Sequence, residues 1–145
     1  MLKSFAVALV LGAVAAGPAA AADPGDLARA HANAVGRGDL AFLAHEYRAD
    51  CALWWVGGAL DGLYQGKDEI ATAWTKFAKA NGTMTPEIGA VSSIANPKGT
   101  TVTIDVTYRG AKTVKVREVL LYRGDQLQDE IWQIDAPPVP APSPT

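Results

Sequence analysis

The chain has one cysteine, Cys51, so no disulfide can staple it from within. A bridge to a second chain is the only pairing open to it. Set in an apolar stretch, it otherwise reads as a small buried hydrophobe. Histidine is nearly as scarce, with only His31 and His45, and no Cys/His/carboxylate spacing resembles a metal motif. No metal and no other cofactor is expected. Thirteen Lys and Arg face fifteen Asp and Glu, a formal net charge of −2, and no basic patch stands out. Nucleic acid is therefore excluded as a partner. The apolar run Phe5 to Ala16 is about a dozen residues, short of the roughly 20 a membrane span needs. There is no internal repeat.

That short apolar run is nonetheless informative. Lys3 supplies a positive start, Gly17-Pro18 breaks the run, and Ala20-Ala21-Ala22 offers a small-x-small cleavage site before Asp23. Residues 1–22 are expected to be an export signal, giving a periplasmic or secreted protein free of the membrane after cleavage. A buried N-terminal helix is the alternative. No cysteine follows the cleavage site, so a lipid anchor is not indicated. The remaining chain of about 120 residues makes one domain with a real core.

Asp23-Pro24 suits the cap and first position of a helix. Leu27, His31, Ala34 and Val35 share one face of it, and Gly36 and Gly38 end it. Asp39 caps a second helix with Leu40, Leu43, Ala44 and Tyr47 as its inward stripe; His45 points to solvent. Cys51 to Val56 reads as a strand with Cys51, Leu53 and Trp55 on one side. Gly57 to Gly62 is a loop. A third helix starts near Lys67-Asp68, turns Ile70, Ala73, Trp74 and Phe77 inward, and stops at Asn81-Gly82.

The rest is strand and turn. Thr83 to Ile94 reads as a strand bent at Pro86 or Gly89. The turn Asn96-Pro97-Lys98-Gly99 leads into a strand with Val102, Ile104, Val106 and Tyr108 on one face. After Arg109-Gly110, Val114, Val116, Glu118, Leu120 and Tyr122 alternate inward. Gly124-Asp125 turns the chain into a last strand, Gln126 to Ile134. Its parity is ambiguous: either Glu130, Trp132 and Ile134 or Asp129 and Ile131 face inward, and a bulge would reconcile the two. Residues 136–145 are a Pro-rich tail read as disordered or polyproline. Helices first and a four-strand antiparallel meander last give an α+β fold, a cone-shaped curved sheet wrapped on N-terminal helices. Such a cone leaves a cavity where a ligand can bind.

The order Gly38-Asp39, Tyr47 to Trp55, Tyr64-x-Gly66-x-Asp68-Glu69-Ile70 and Trp74 to Phe77 resembles the nuclear transport factor 2-like superfamily. Its SnoaL-like and ketosteroid isomerase branches are the most similar, and the resemblance spans residues 23–135. The isomerase resemblance implies that the oxyanion-hole tyrosine of that family falls on His31. Its catalytic aspartate falls on Trp55, and its protonated aspartic acid on Glu118 or the next residue, Val119. The base is thus missing, since Trp55 cannot abstract a proton. Arg117 lies on the opposite strand face from Glu118, so no Asp-Arg-Asp set like that of the epoxide hydrolase relatives is present. The resemblance also implies a homodimer through the outer sheet face. There Lys112, Lys115, Arg117, Arg123, Thr101, Thr103 and Asp105 surround Val119 and Leu121.

Glu118 sits on an apolar strand face, where an ionised carboxylate is costly unless paired, and burial would raise its pKa. It is a pocket acid, the partner of a neighbouring Arg or Lys, or part of a sheet face that is solvated. His31 is likewise either a satisfied core residue or, with Glu118, a catalytic group. Tyr47, Trp55, Trp74, Glu130 and Trp132 are expected to line the cavity, unless the aromatics simply fill it. Two functions remain in view. One is non-catalytic binding of a small apolar molecule, or a dimeric assembly role. The other is a lyase or isomerase acting on a small carbonyl or polycyclic compound through His31 and Glu118 or Glu130.

Overall fold

A computed structural model of the chain describes residues 21–136. Nearly all of the expected export segment and of the Pro-rich tail therefore lies outside the described residues. The Asp23 carboxylate caps α1 (Pro24–Arg37), accepting from the Gly25 amide at 2.8 Å. Gly38, at φ 65°, closes the helix in the left-handed region that glycine tolerates. Gly36 is required for a different reason. A Cβ there would lie 2.7 Å from the Met84 carbonyl, where the chain enters β3 (Thr85–Asn96).

Between them lie α2 (Leu40–Glu46), β1 (Tyr47–Val56), β2 (Gly62–Gln65) and α3 (Gly66–Asn81). Three more strands follow: β4 (Gly99–Arg109), β5 (Thr113–Arg123) and β6 (Gln126–Ile134). Among the described residues the fold is α+β, three helices on a six-strand sheet ordered β2-β1-β6-β5-β4-β3. All pairings are antiparallel except β1 with β6.

The structure corrects the expected architecture in several places. The antiparallel meander of β3 to β6 forms as expected, but the sheet grows to six strands, because β1 docks parallel on β6 and carries β2 with it. Strand β2 starts at Gly62, the last residue of the expected loop, in a stretch for which no strand was expected; its four residues are too few to show alternation. Tyr47 is not on the helical stripe of α2 but is the first residue of β1, paired with Leu127. Ala44 is exposed and Leu27 only half-buried. Ala28 and Ala32 form the contact face of α1 instead, since small side chains let its backbone approach the sheet.

The ambiguous last strand is resolved by a bulge. Leu121 pairs with Asp129 but Tyr122 pairs with Leu127, so Gln128 is the extra residue. Glu130 and Trp132 consequently face the core with Leu127, while Ile134 is half-buried. The expected bend in β3 falls between Ile88 and Val91. Cys51 is buried and free.

Candidate functional site: a buried acid–base network behind an aromatic wall

His31 projects from the middle of α1 and meets residues from three strands. All of its surface is buried, as is that of Glu118 on β5 and Glu130 on β6. The strand register brings the two acids together: Glu118 pairs with Trp132 and Leu120 with Glu130, so both acids point inward one step apart. His31 Nδ1 hydrogen-bonds Glu46 at the end of α2, and Nε2 lies 3.2 Å from Glu130 Oε1. The Tyr47 hydroxyl donates to Glu130 Oε2 and accepts from Trp74 Nε1 at 3.1 Å. The Tyr108 hydroxyl donates to Glu118 Oε1 at 2.6 Å. Glu118 Oε2 has no hydrogen-bond partner and sits 4.0 Å from His31 Nε2.

Both ring nitrogens of His31 thus face carboxyl groups. Burial pulls its pKa down, but the negative charges of Glu46 and Glu130 outweigh that and hold it well above the ordinary histidine value. Burial pushes Glu118 up to about 8, with His31 pulling the other way. At neutral pH the network therefore combines an imidazolium with a protonated glutamic acid. Tyr47 and Tyr108 are driven upward by burial and by their acidic partners, so both remain neutral donors.

The aromatics separate this network from solvent. Trp55 lies with its ring centre 5.3 Å from Trp74, 5.5 Å from Phe77 and 5.2 Å from Trp132. Trp74 and Trp132 meet edge to face at 4.9 Å, and Tyr108 stacks on Trp132 at 5.3 Å. Outside this wall, at the open end between α3 and the sheet, is a hollow of about 370 Å³. Trp55, Leu60, Phe77, Val114 and Ile134 give it an apolar lining, with Lys76 and Lys112 also on its wall. A crevice of only about 10 Å³ touches Tyr47 and Trp74 from the side of α2. A third hollow, about 690 Å³, lies over β3–β6 and is lined by polar groups including Asp105, Lys115 and Arg117.

The expected site residues thus divide. His31, Glu118 and Glu130 come together with Tyr47 and Trp74, but in a space closed to solvent. Trp55 alone of the five expected lining residues borders the 370 Å³ hollow. Trp132 is buried within the wall. Glu118 does not pair with a lysine or arginine; Arg117 instead makes a two-pronged contact with Asp105 at 2.8 and 3.2 Å. Sequence reasoning missed Glu46 and the role of Tyr108. A glutamate directly preceding an inward tyrosine was the one available signal for Glu46, and it is weak. It also found no metal spacing, yet His31, Glu118 and Glu130 place one ligand atom each within 4.8 Å of one another. Those residues are 87 and 12 positions apart along the chain, beyond the reach of any short motif.

Residues 28–129 match the profile of the SnoaL-like domain family, well over half of the chain. The chain belongs to that family. Among solved structures, this SnoaL-like domain is similar to a nuclear transport factor 2-like protein of unknown function from Pseudomonas putida. The TM-score is 0.63 at 19% identity, over 78% of this chain and 92% of that one. A ketosteroid isomerase-like protein from Erwinia carotovora atroseptica gives 0.61 at 21% identity, over 77% and 93%. A cystatin-like-fold protein of unknown function from Methylobium petroleophilum gives 0.63 at 15% identity, over 79% and 76%. At these identities the likeness concerns the fold, which hosts many unrelated activities. No curated protein sequence matches the chain significantly.

Proposed function

We propose that this SnoaL-like domain is a non-catalytic binding module that takes a small apolar molecule into the hollow at the mouth of its cone. The observation that carries this reading is the separation of the chemistry from the hollow. His31, Glu118 and Glu130 have no solvent-exposed surface, whereas the 370 Å³ hollow is apolar and open. Its volume falls in the range of about 300–1,000 Å³ typical of small-molecule sites. Tryptophan at position 55, where the isomerase resemblance calls for a base, borders the hollow and packs against Trp74, Phe77 and Trp132. The N-terminal segment supports export to the periplasm or beyond. Trp54, 51% exposed on the outer sheet face, supports a homodimer through that face; it pairs with exposed Leu63 and Ile131 on the neighbouring strands.

The test is direct titration of the purified domain with an apolar fluorophore such as 1-anilinonaphthalene-8-sulfonate. Saturable one-to-one binding that Leu60→Asp weakens at least tenfold supports the module. Binding that is absent, or indifferent to Leu60→Asp, contradicts it.

One observation favours a second reading, a lyase or isomerase acting on a small carbonyl or polycyclic compound. A protonated Glu118 beside His31 is a pair of hydrogen-bond donors of the kind that stabilises an enolate. This reading requires the wall of Trp55, Trp74 and Trp132 to open. Turnover of a ketone substrate that is lost in Glu118→Ala would support it over the binding module.

A further inference from the structure

We infer that His31, Glu118 and Glu130 form a buried site for one divalent transition-metal ion, zinc foremost. Three side chains are held from outside by one atom each and turn their other atoms toward one another. Each of the three side chains has one end fixed by a neighbour outside the trio: His31 Nδ1 by Glu46, Glu130 Oε2 by the Tyr47 hydroxyl, and Glu118 Oε1 by the Tyr108 hydroxyl. The remaining ends, His31 Nε2, Glu130 Oε1 and Glu118 Oε2, converge to within 4.8 Å of one another. A carboxylate on the far nitrogen of a ligating histidine, and hydrogen bonds on the far oxygens of ligating carboxylates, are the outer-sphere supports that metal sites use.

Glu118 Oε2, one of four buried side-chain atoms without a hydrogen-bond partner among the described residues, is a second observation that points the same way. It is buried, has no hydrogen-bond partner, and points at His31 Nε2 from 4.0 Å. Buried polar atoms are almost always satisfied. The spacing suits an ion. Ligand atoms about 2.0–2.1 Å from tetrahedral zinc stand about 3.4 Å apart, and the two distances from His31 Nε2 are 3.2 and 4.0 Å. One imidazole and two carboxylates form a donor set that takes zinc, manganese or ferrous iron. Metal binding would displace the protons of both His31 and Glu118, after which the two carboxylates balance a dication.

The wall that closes the network to solvent implies that the ion enters as the chain folds. The experiment therefore refolds the purified domain from guanidinium and chelator, with or without a slight excess of Zn²⁺, and then desalts it. About one zinc retained per chain, with a Tm several degrees above that of the zinc-free sample, is the expected result. Glu118→Gln, which preserves shape and removes the ligand charge, should lower retained zinc at least tenfold. Exchange of the exposed histidine, His45→Ala, should leave it unchanged. Refolding the unaltered domain with Co²⁺ adds a readout independent of any variant: visible absorption from a four- or five-coordinate site. Less than a tenth of an equivalent of zinc together with no cobalt absorption overturns the inference. So does zinc lost in His45→Ala but kept in Glu118→Gln.

Discussion

Glu118 Oε2 stands 4.0 Å from Nε2 of His31, and neither side chain has any contact with solvent. Two ionisable groups so placed make the stability of the domain depend on pH. Glu118 titrates near 8 in the folded chain against about 4.3 when unfolded. A carboxyl raised in this way contributes stability that is complete below the unfolded value and is lost as pH rises to about 8. His31, also raised, contributes stability that is complete below about 6.5 and is lost above it. Both act in the same direction, each by at most about 1.4 kcal/mol per pH unit. Glu118→Gln should remove the first contribution. Its stability relative to the unaltered chain, measured by urea unfolding between pH 5 and 9, should rise with pH.

His31→Ala leaves the buried Glu130 and the half-buried Glu46 without their cationic partner. Breaking a buried pair from one side costs about 3–5 kcal/mol. Urea unfolding at pH 7 should show a loss of that size. Tyr47→Phe removes a single donor to Glu130 and should cost less, about 1–3 kcal/mol.

Much of this network was legible in the sequence. The alternation in β4 and β5 placed Tyr108 and Glu118 inward, and the helical spacing placed His31 on an apolar face. What could not be read were distances between elements. The bulge at Gln128 decides whether Glu130 or Asp129 faces the core, and a bulge has no reliable residue signature. Glu46 ends a helix of only seven residues, where tertiary packing rather than periodicity fixes the boundary. The parallel pairing of β1 with β6 joins residues 77 to 80 positions apart and leaves no local trace.

Trp55→Ala should remove the wall between the hollow and the network. The expected cost is about 3–5 kcal/mol, the range for deleting a buried aromatic. Water admitted beside Glu118 should also lower its titration midpoint, which carboxyl-detected NMR can follow. A midpoint unchanged by Trp55→Ala would show that the other aromatics suffice to keep the network dry.

The outer sheet face makes a separate prediction. Leu63, Trp54, Ile131 and Val119 form a continuous row across β2, β1, β6 and β5. If that row joins two copies of the domain, Trp54→Glu should convert a dimer to a monomer in light scattering, with its circular dichroism spectrum retained.

The central claim is that ligand binding and the acid–base network occupy different sides of the aromatic wall. NMR mapping of the domain with an apolar probe at saturation tests it most directly. Shifts are expected at Trp55, Leu60, Phe77 and Val114, with the imidazole resonances of His31 and the carboxyl resonance of Glu118 unmoved. Direct probe contacts to His31 or Glu118 would contradict it and place the ligand within reach of the acid–base groups.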